Sequence, residues 1–214
     1  MADLVGEERS PTERGHALAT TLLERHGVVT REAVVAEGIA GGYASVYPVL
    51  RAMEESGRAR RGYFVAGLGA AQFALPGAVD RLRAIRDDEP TERLMAATDP
   101  AQPYGAALPW PRGSDDERLP LQRAAGAYVA IVDGHAVLYV ERGGRGLLRL
   151  PAATAASRLE RAVATLPSLV ATGGPMRELR IERVDREPVS SSDLAPALTA
   201  VGFRPSYRGF QLRA

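Results

Sequence analysis

Cysteine and lysine are both absent from this chain of 214 residues. Without cysteine there are no disulfides and no thiolate metal sites. Without lysine there is no Gly-x-x-x-x-Gly-Lys-Ser/Thr phosphate loop, so ATP hydrolysis by this chain alone is not expected. A His-Glu-x-x-His pair and a Gly-x-Ser-x-Gly elbow are also missing. The three histidines, His16, His26 and His135, are scattered, which gives no metal-ligand spacing. Gly67-x-Gly69 is followed by two alanines, not by the rest of a dinucleotide fingerprint, and reads as a turn. No cofactor is expected. No apolar run reaches the roughly 18–20 residues that span a bilayer, and the N-terminus lacks a signal-peptide pattern, so the expected location is the cytoplasm, away from any membrane.

All 27 basic residues are arginine, which fits a GC-rich coding bias as readily as any function. The net charge of +1 says little about partners, but its distribution says more. Residues 1–88 hold 11 Arg and 12 acids, residues 89–125 hold 4 and 6, and residues 126–214 hold 12 and 8. Basic character is therefore local. Hydrophobic residues make up 45% of the chain, enough for a buried core.

Residues 1–9 are polar and read as a disordered tail. Ser10-Pro11-Thr12-Glu13 is a helix start with a capping box, and Gly27 is its stop. A short helix opens at Thr30 and runs to about Glu37, with Val34 and Val35 as its buried residues. A third helix, about Ala44 to Ser56, carries Val46, Val49, Leu50 and Met53 at helical spacing, and Pro48 implies a late start or a kink. Gly57 to Pro76 then reads as a β-hairpin. Its first strand is basic, with Arg58, Arg60 and Arg61, and continues through Tyr63, Phe64 and Val65. Its tip is rich in Gly and Ala, and Gln72 to Leu75 return. A fourth helix runs from Pro76 to about Asp88, with Val79, Leu82 and Ile85 on its buried side.

Helices followed by a basic hairpin are the layout of a winged helix, whose hairpin wing lies against a nucleic-acid backbone. In that frame the third helix is the recognition helix, and its exposed side shows Ser45, Tyr47, Arg51, Glu54 and Glu55. A face with one Arg is poor in the commonest guanine-reading side chain. An ordinary solvated helix explains that face about as well. The arginines of the hairpin also have a plain reading, as solvated strand positions.

Residues 89–125 contain six prolines and the acidic run Asp115-Asp116-Glu117, and read as a Pro-rich connector between domains at 10–88 and 126–214. Tyr104, Leu108 and Trp110 are apolar enough that part of it should pack on a domain surface. Further on, strands are expected at Ala127 to Val132, Ala136 to Glu141 and Gly146 to Leu150, with hairpin turns at Asp133-Gly134 and Gly143-Gly144. A helix from about Thr154 to Thr172 follows, with Pro167 as a late breaker, and then a strand from Arg177 to Val184. A short helix from Asp193 to Val201 and a last strand from Phe203 to Arg213, interrupted near Pro205, complete the pattern. Arg180, Arg183 and Arg186 recur every third residue, which a strand's period of two splits between its faces. The fold class is α+β: an N-terminal winged helix-turn-helix, then a mixed-sheet, barrel-like α+β domain.

Four pieces carry a family resemblance: LLERHGVVTREAVVAEGIAGG, VYPVLRAMEESGRARRGYFVAGLGAAQFALPGAVDRLRA, the connector DPAQPYGAALPWP and the closing GFRPSYRGFQLRA. Together they resemble the C-terminal region of Lhr-type (large helicase-related) superfamily 2 DNA helicases. The resemblance implies a winged helix followed by a β-barrel-like module, with the ATP-dependent motor lying upstream. It also implies DNA, single-stranded or forked, as the partner, and a role in DNA repair and oligomer formation. The family is similar to winged-helix DNA glycosylases, and some relatives are described as uracil-DNA glycosylases. Those enzymes carry Gln-x-Gln or Gln-x-Asp on a barrel strand. Here the nearest match is Gln211-Leu212-Arg213, so Gln211 carries over as a weak catalytic candidate, while Arg213 cannot act as a base. Asp193 or Glu182 could serve a base pocket, but the sequence selects neither.

Three functions are weighed on this basis. The first is a non-catalytic DNA-binding and assembly module of an Lhr-type helicase, with Arg58, Arg60 and Arg61 on phosphates and Tyr63, Tyr47 and Arg51 nearby. The second is a glycosylase acting on a flipped uracil or alkylated base. The third is a structural oligomerisation module.

Overall fold

The structure, a computed structural model, describes residues 10–85, 90–113 and 118–213. The expected N-terminal tail, the end of the fourth helix and the acidic run at Asp115 to Glu117 lie outside the described residues. The chain divides into two compact units, one of Met1–Arg86 with Ala106–Leu108 and the other of Asp87–Gly105 with Pro109–Ala214.

The first unit begins with α1 (Pro11–His26), which has the predicted capping box. Ser10 Oγ accepts from the Glu13 N–H at 3.2 Å, and the Glu13 carboxylate accepts from the Ser10 N–H at 2.8 Å. Gly27, at φ 68°, ends the helix as the glycine signal predicts. A two-residue strand, β1 (Val28–Val29), comes next; it is too short to show any period in the sequence. Thr30 caps α2 (Arg31–Ala36) by accepting from the Ala33 N–H. Val34 is buried, but Val35 is exposed, because consecutive helical positions lie about 100° apart and only one of the two can face α1 and α3. The third helix, α3 (Gly42–Glu55), starts earlier than predicted and runs through Pro48.

The hairpin consists of β2 (Arg60–Gly62) and β3 (Gln72–Ala74). It is shorter than predicted: Tyr63, Phe64 and Val65 leave the strand for the connecting loop. β3 is the middle strand, antiparallel to β1 on one side and to β2 on the other. It places Phe73 in a core with Leu22, Leu23, Val29, Val34, Val46 and Leu50. Gln72 is fully buried and serves the loop: its Oε1 accepts from the Phe64 and Val65 N–H groups at 2.9 and 2.8 Å, and its Nε2 donates to the Val65 carbonyl at 2.9 Å. The Tyr43 hydroxyl, on α3, donates to the Ala71 carbonyl at the other end of the loop. Burial pushes that phenol up to about 12. The last helix of the unit is α4 (Pro76–Ala84). Val79 is buried, whereas Leu82 and Ile85 are exposed, so the predicted apolar stripe is covered only at its first position.

The second unit opens with β4 (Glu92–Ala96), inside the stretch that the sequence reads as irregular connector. Glu92 and Arg93 interrupt any apolar run, so the strand has no signal of its own and forms by pairing with β5 (Tyr128–Val132). β6 (His135–Val140) and β7 (Gly146–Arg149) follow close to their expected bounds. Asp133 at φ 49° and Gly134 at φ 77° make the left-handed turn between β5 and β6. The expected single helix is divided by Pro167 into α5 (Ala156–Ala164) and a 3₁₀ turn (Leu166–Leu169). The expected strand Arg177 to Val184 breaks at Glu182 into β8 (Glu178–Ile181) and β9 (Arg183–Val184). β10 (Glu187–Pro188), α6 (Ala195–Ala200), β11 (Arg204–Ser206) and β12 (Gly209–Arg213) complete the chain. The last expected strand is thus a hairpin that turns at Tyr207-Arg208.

Six strands form one sheet in the order β10-β9-β7-β6-β5-β4, antiparallel except for the parallel β7–β9 pair. Three more form the sheet β11-β12-β8. The α+β class and the mixed sheet stand, but no closed barrel forms among the described residues: β4 and β10 remain open edges, and the break at Glu182 hands the chain from one sheet to the other. On one side the six-stranded sheet packs Leu138, Val140 and Leu147 with Val163 and Leu166 of the α5 segment and with Leu179 and Ile181 of β8. A second cluster joins Val129, Tyr139 and Leu148 to Tyr104 and Trp110. Trp110 stacks on Tyr104 and meets Tyr139 edge-on, at 6.4 and 5.8 Å between ring centroids. Asp133 does more than turn the chain. Its carboxylate accepts from the Thr91 N–H at 3.0 Å and from Arg161 at 2.6 Å, and Arg161 also reaches Glu92 at 2.7 Å. The group ties the start of β4 to the β5–β6 turn and to α5.

Two outcomes are expected. Gln72→Ala leaves the Phe64 and Val65 N–H groups without their acceptor, a loss of about 1–3 kcal/mol. Chemical denaturation measures the loss, and hydrogen exchange should speed up first within residues 63–71. In the second unit, the Arg161 guanidinium and the Thr91 N–H lower the Asp133 carboxyl from 3.8 to about 2. A depressed folded-state value means a contribution fully present above the unfolded value near 3.8 and lost as pH falls toward about 2. Asp133→Asn should therefore shift the acid-unfolding midpoint, followed by far-UV circular dichroism, to higher pH.

Candidate nucleic-acid interface

Four of the six predicted contact residues lie on or beside the wing, and they fan out instead of forming a stripe. Arg60 and Arg61 are neighbours on β2, so their side chains leave opposite faces. Arg60 extends toward Asp80 of α4 at 4.0 Å, and Arg61 toward Glu54 of α3 at 3.3 Å. Arg58 precedes the strand and donates to His16 Nε2 of α1 at 2.9 Å. Each cation therefore has a different neighbour on a different helix. Both Arg60 and Arg61 remain about half exposed, with side chains 50% and 48% accessible. Ion pairs this open are weak, about 0–1 kcal/mol, and a phosphate can compete for the guanidinium. Tyr63, at the start of the wing loop, is 91% exposed.

The two predicted residues on α3 divide. Arg51 is exposed and paired with Glu55 one turn later at 3.0 Å. Tyr47 is only partly open: its ring packs edge-on against Phe73 and tilted against Tyr43, at 5.9 Å from each. It serves the core under the wing as much as the surface. The sequence missed Gln72 and Tyr43, which fix the two ends of the wing loop. A polar residue beginning a return strand carries no signal of burial, and the loop geometry it serves is not visible in a linear pattern.

Gln211 sits on β12, the central strand of the three-stranded sheet, opposite Arg204 of β11 and Arg180 of β8. Cross-strand partners share a face, so these three and Arg213 lie together, while Phe210 and Leu212 point into the core. With its amide oxygen turned to the Arg213 guanidinium, Gln211 accepts from Nη2 at 2.9 Å. Glu178, opposite Arg213, is held by Arg180 at 2.6 Å and Arg213 at 3.2 Å, and these cations keep its carboxyl below the ordinary range. The surroundings of Gln211 are thus basic, and the acid beside it is already bonded. Asp193 pairs with Arg149 at 2.9 Å. Glu182 lies elsewhere, at the break between β8 and β9. Arg180, Arg183 and Arg186 fall on β8, on β9 and in the turn after it, so counting faces along one strand does not apply to them. The histidines, like the other potential ligands, form no group of three or more that could hold a metal ion among the described residues. No described helix is long and apolar enough to cross a membrane.

Comparison with known proteins places this geometry. Residues 8–94 match the family described as the winged-helix domain of the large helicase-related protein. The chain is 44% identical over 223 residues to the "Lhr helicase/ probable uracil glycosylase" of Mycolicibacterium smegmatis, an alignment covering 98% of this chain and 14% of that relative. It is 42% identical over 147 residues to the "Lhr helicase/uracil glycosylase" of Escherichia coli K12, covering 66% of this chain and 9% of the relative. The chain therefore spans about one seventh of the length of one curated relative and less of the other. Its N-terminal unit matches the winged-helix domain of the large helicase-related family, and over nearly its whole length the chain is similar to one region of proteins named Lhr helicase.

Proposed function

We infer that this chain is the DNA-engaging and assembly module of an Lhr-type ATP-dependent helicase acting in DNA repair in the cytoplasm, without a motor of its own. The wing carries this reading. A hairpin fixed by Gln72 and Tyr43 offers two half-open arginines, a third beside them, and an exposed tyrosine, within a domain of a helicase family. Arg58, Arg60 and Arg61 exchange His16, Asp80 and Glu54 for phosphates, and Tyr63 stacks on a base of single-stranded or forked DNA. The module sits in the C-terminal region of its parent, receives DNA from motor domains upstream, and self-associates. The domains follow the division at 10–88, 89–125 and 126–214, with β4 of the middle stretch belonging to the second fold.

The names of both relatives carry a second reading, uracil glycosylase. Gln211 is the residue on which it would turn. Glycosyl hydrolysis needs a group to position water or to steady a cationic sugar, and the face around Gln211 offers guanidinium groups and one ion-paired carboxylate. This favours the binding reading. Free uracil released from a uracil-containing strand, and lost on Gln211→Ala, would replace it.

Titration of the chain against single-stranded, duplex and forked DNA at two salt concentrations is the direct test. Arg58→Ala/Arg60→Ala/Arg61→Ala should weaken binding and flatten the plot of log K against log salt by about 0.7–0.9 per lost phosphate contact. An unchanged slope removes the wing from the interface. Self-association without DNA affinity at low salt leaves an oligomerisation module.

A further inference from the structure

The second unit holds a hairpin whose tip is built of residues that nothing in the fold uses. β11 and β12 join through Tyr207 and Arg208, with Ser206 paired to Gly209 across the turn. Tyr207 is 100% exposed. Arg208 beside it and Arg204 at the base of β11 are both exposed, and neither has a carboxylate partner among the described residues. Six of the twelve arginines in residues 126–214 do have one: Arg145, Arg149, Arg161, Arg180, Arg183 and Arg213 are ion-paired. The tip is held firmly. Gly209, at φ 137°, lies so close to the Ile181 carbonyl, Val189 and the Glu182 backbone that a Cβ there would clash. Ser206 Oγ also donates to the Gly209 carbonyl at 3.2 Å.

A groove of about 460 Å³ runs beside the tip, lined by Tyr207, Arg208, Phe210, Pro188, Ser190 and Glu182 among others. Its size is within the roughly 300–1,000 Å³ of small-ligand sites. Glu182 is the acid in this lining. Its Oε1 is buried without a hydrogen-bond partner, and its nearest cation, Arg145 Nε, is 4.0 Å away. A fully exposed aromatic ring, two unneutralised guanidinium groups and an adjoining groove with an unsatisfied acceptor fit one class of ligand, which has a flat apolar face, an anionic backbone and an N–H edge.

We propose that the Tyr207-Arg208 hairpin is a second nucleic-acid contact, which stacks one unpaired base of a DNA strand on Tyr207 and holds its flanking phosphates with Arg208 and Arg204. The base must be unpaired, because a ring at a hairpin tip reaches a π-face only where the duplex is open. Its edge turns into the groove toward Glu182, whose carboxylate only accepts and therefore favours a base that presents N–H groups. The proposal rests on the reading that this chain engages DNA, but it uses no residue of the wing.

The test is made on the full chain with a single-stranded oligonucleotide containing 5-iodouracil, using photo-cross-linking with peptide mapping together with fluorescence anisotropy at two salt concentrations. The cross-link should map to Tyr207, and it should persist in the Arg58/Arg60/Arg61 alanine variant. Tyr207→Ala should weaken single-strand binding about 5- to 150-fold, the range for one base–aromatic stack, with Tyr207→Phe close to wild type. Arg204→Ala and Arg208→Ala should each flatten the salt dependence by about 0.7. Unchanged affinity in Tyr207→Ala, with cross-links confined to residues 58–65, overturns this proposal and leaves the wing intact. Absence of binding by the wild-type chain at low salt overturns both readings. Because Tyr207 makes no contact in the fold, an unchanged circular dichroism spectrum is expected for its variants, and it separates lost binding from lost structure.

Discussion

Everything in the first unit depends on β3 being paired along both edges. Three residues, Gln72 to Ala74, bond to β1 on one side and β2 on the other. That double pairing buries Phe73 against α1 and α3 and sets Gln72 under the wing loop. A two-stranded hairpin is marginal alone in water, and the third strand with a helical layer beneath makes this one stable. The arginines on β2 have defined directions because β2 is registered to a strand that cannot slip: one step would carry Phe73 out of the core and Gln72 away from its three backbone partners.

The second constraint is electrostatic. A chain whose only fixed cation is arginine cannot lose charge at any ordinary pH, and arginine prefers planar, two-point partners. Many guanidinium groups are accordingly matched to carboxylates, and several of these pairs brace the fold. Arg161 joins β4 to the β5–β6 turn, and Arg149 holds the left-handed turn at Asp185 and Arg186 through both carboxylate oxygens. Net charge is therefore a poor guide to function here. Which arginines lack a strong partner matters more than how many there are, and those differ between the two units.

Much of the first unit was legible in its sequence. The capping box at Ser10 and Glu13, the Gly27 stop, the Thr30 cap and the alternation of hairpin and helix are local signals, and local physics honoured them. The second unit was legible in its early hairpins, for the same reason. What stayed hidden depended on partners far away in the chain. β1 and β4 exist because β3 and β5 offer them an edge. The break at Glu182 exists because β8 and β9 join different sheets. The wing's basic run is plain in the sequence, but its division by strand alternation and by three separate neighbours is not. Tyr207 carries no signal of its own in the sequence, because a tyrosine between Ser206 and Arg208 reads as an ordinary strand position until the chain is seen to turn there.

The contrast between the two exposed tyrosines bears on how such a module grips DNA. At the wing, on the proposed reading, each arginine would leave a neighbour before meeting a phosphate, so its contribution would be a difference between two interactions. That difference is small for each residue, tolerates many DNA geometries and gives little preference among sequences, as expected of backbone contacts. At the β11–β12 tip, Arg204 and Arg208 give up only water, and the ring beside them is wholly accessible. If both contacts hold as proposed, the wing would grip a backbone loosely and the tip would hold one unpaired base. On the proposed reading the two grips differ because Arg60 and Arg61 of the wing already have a carboxylate neighbour, whereas Arg204 and Arg208 of the tip have none among the described residues.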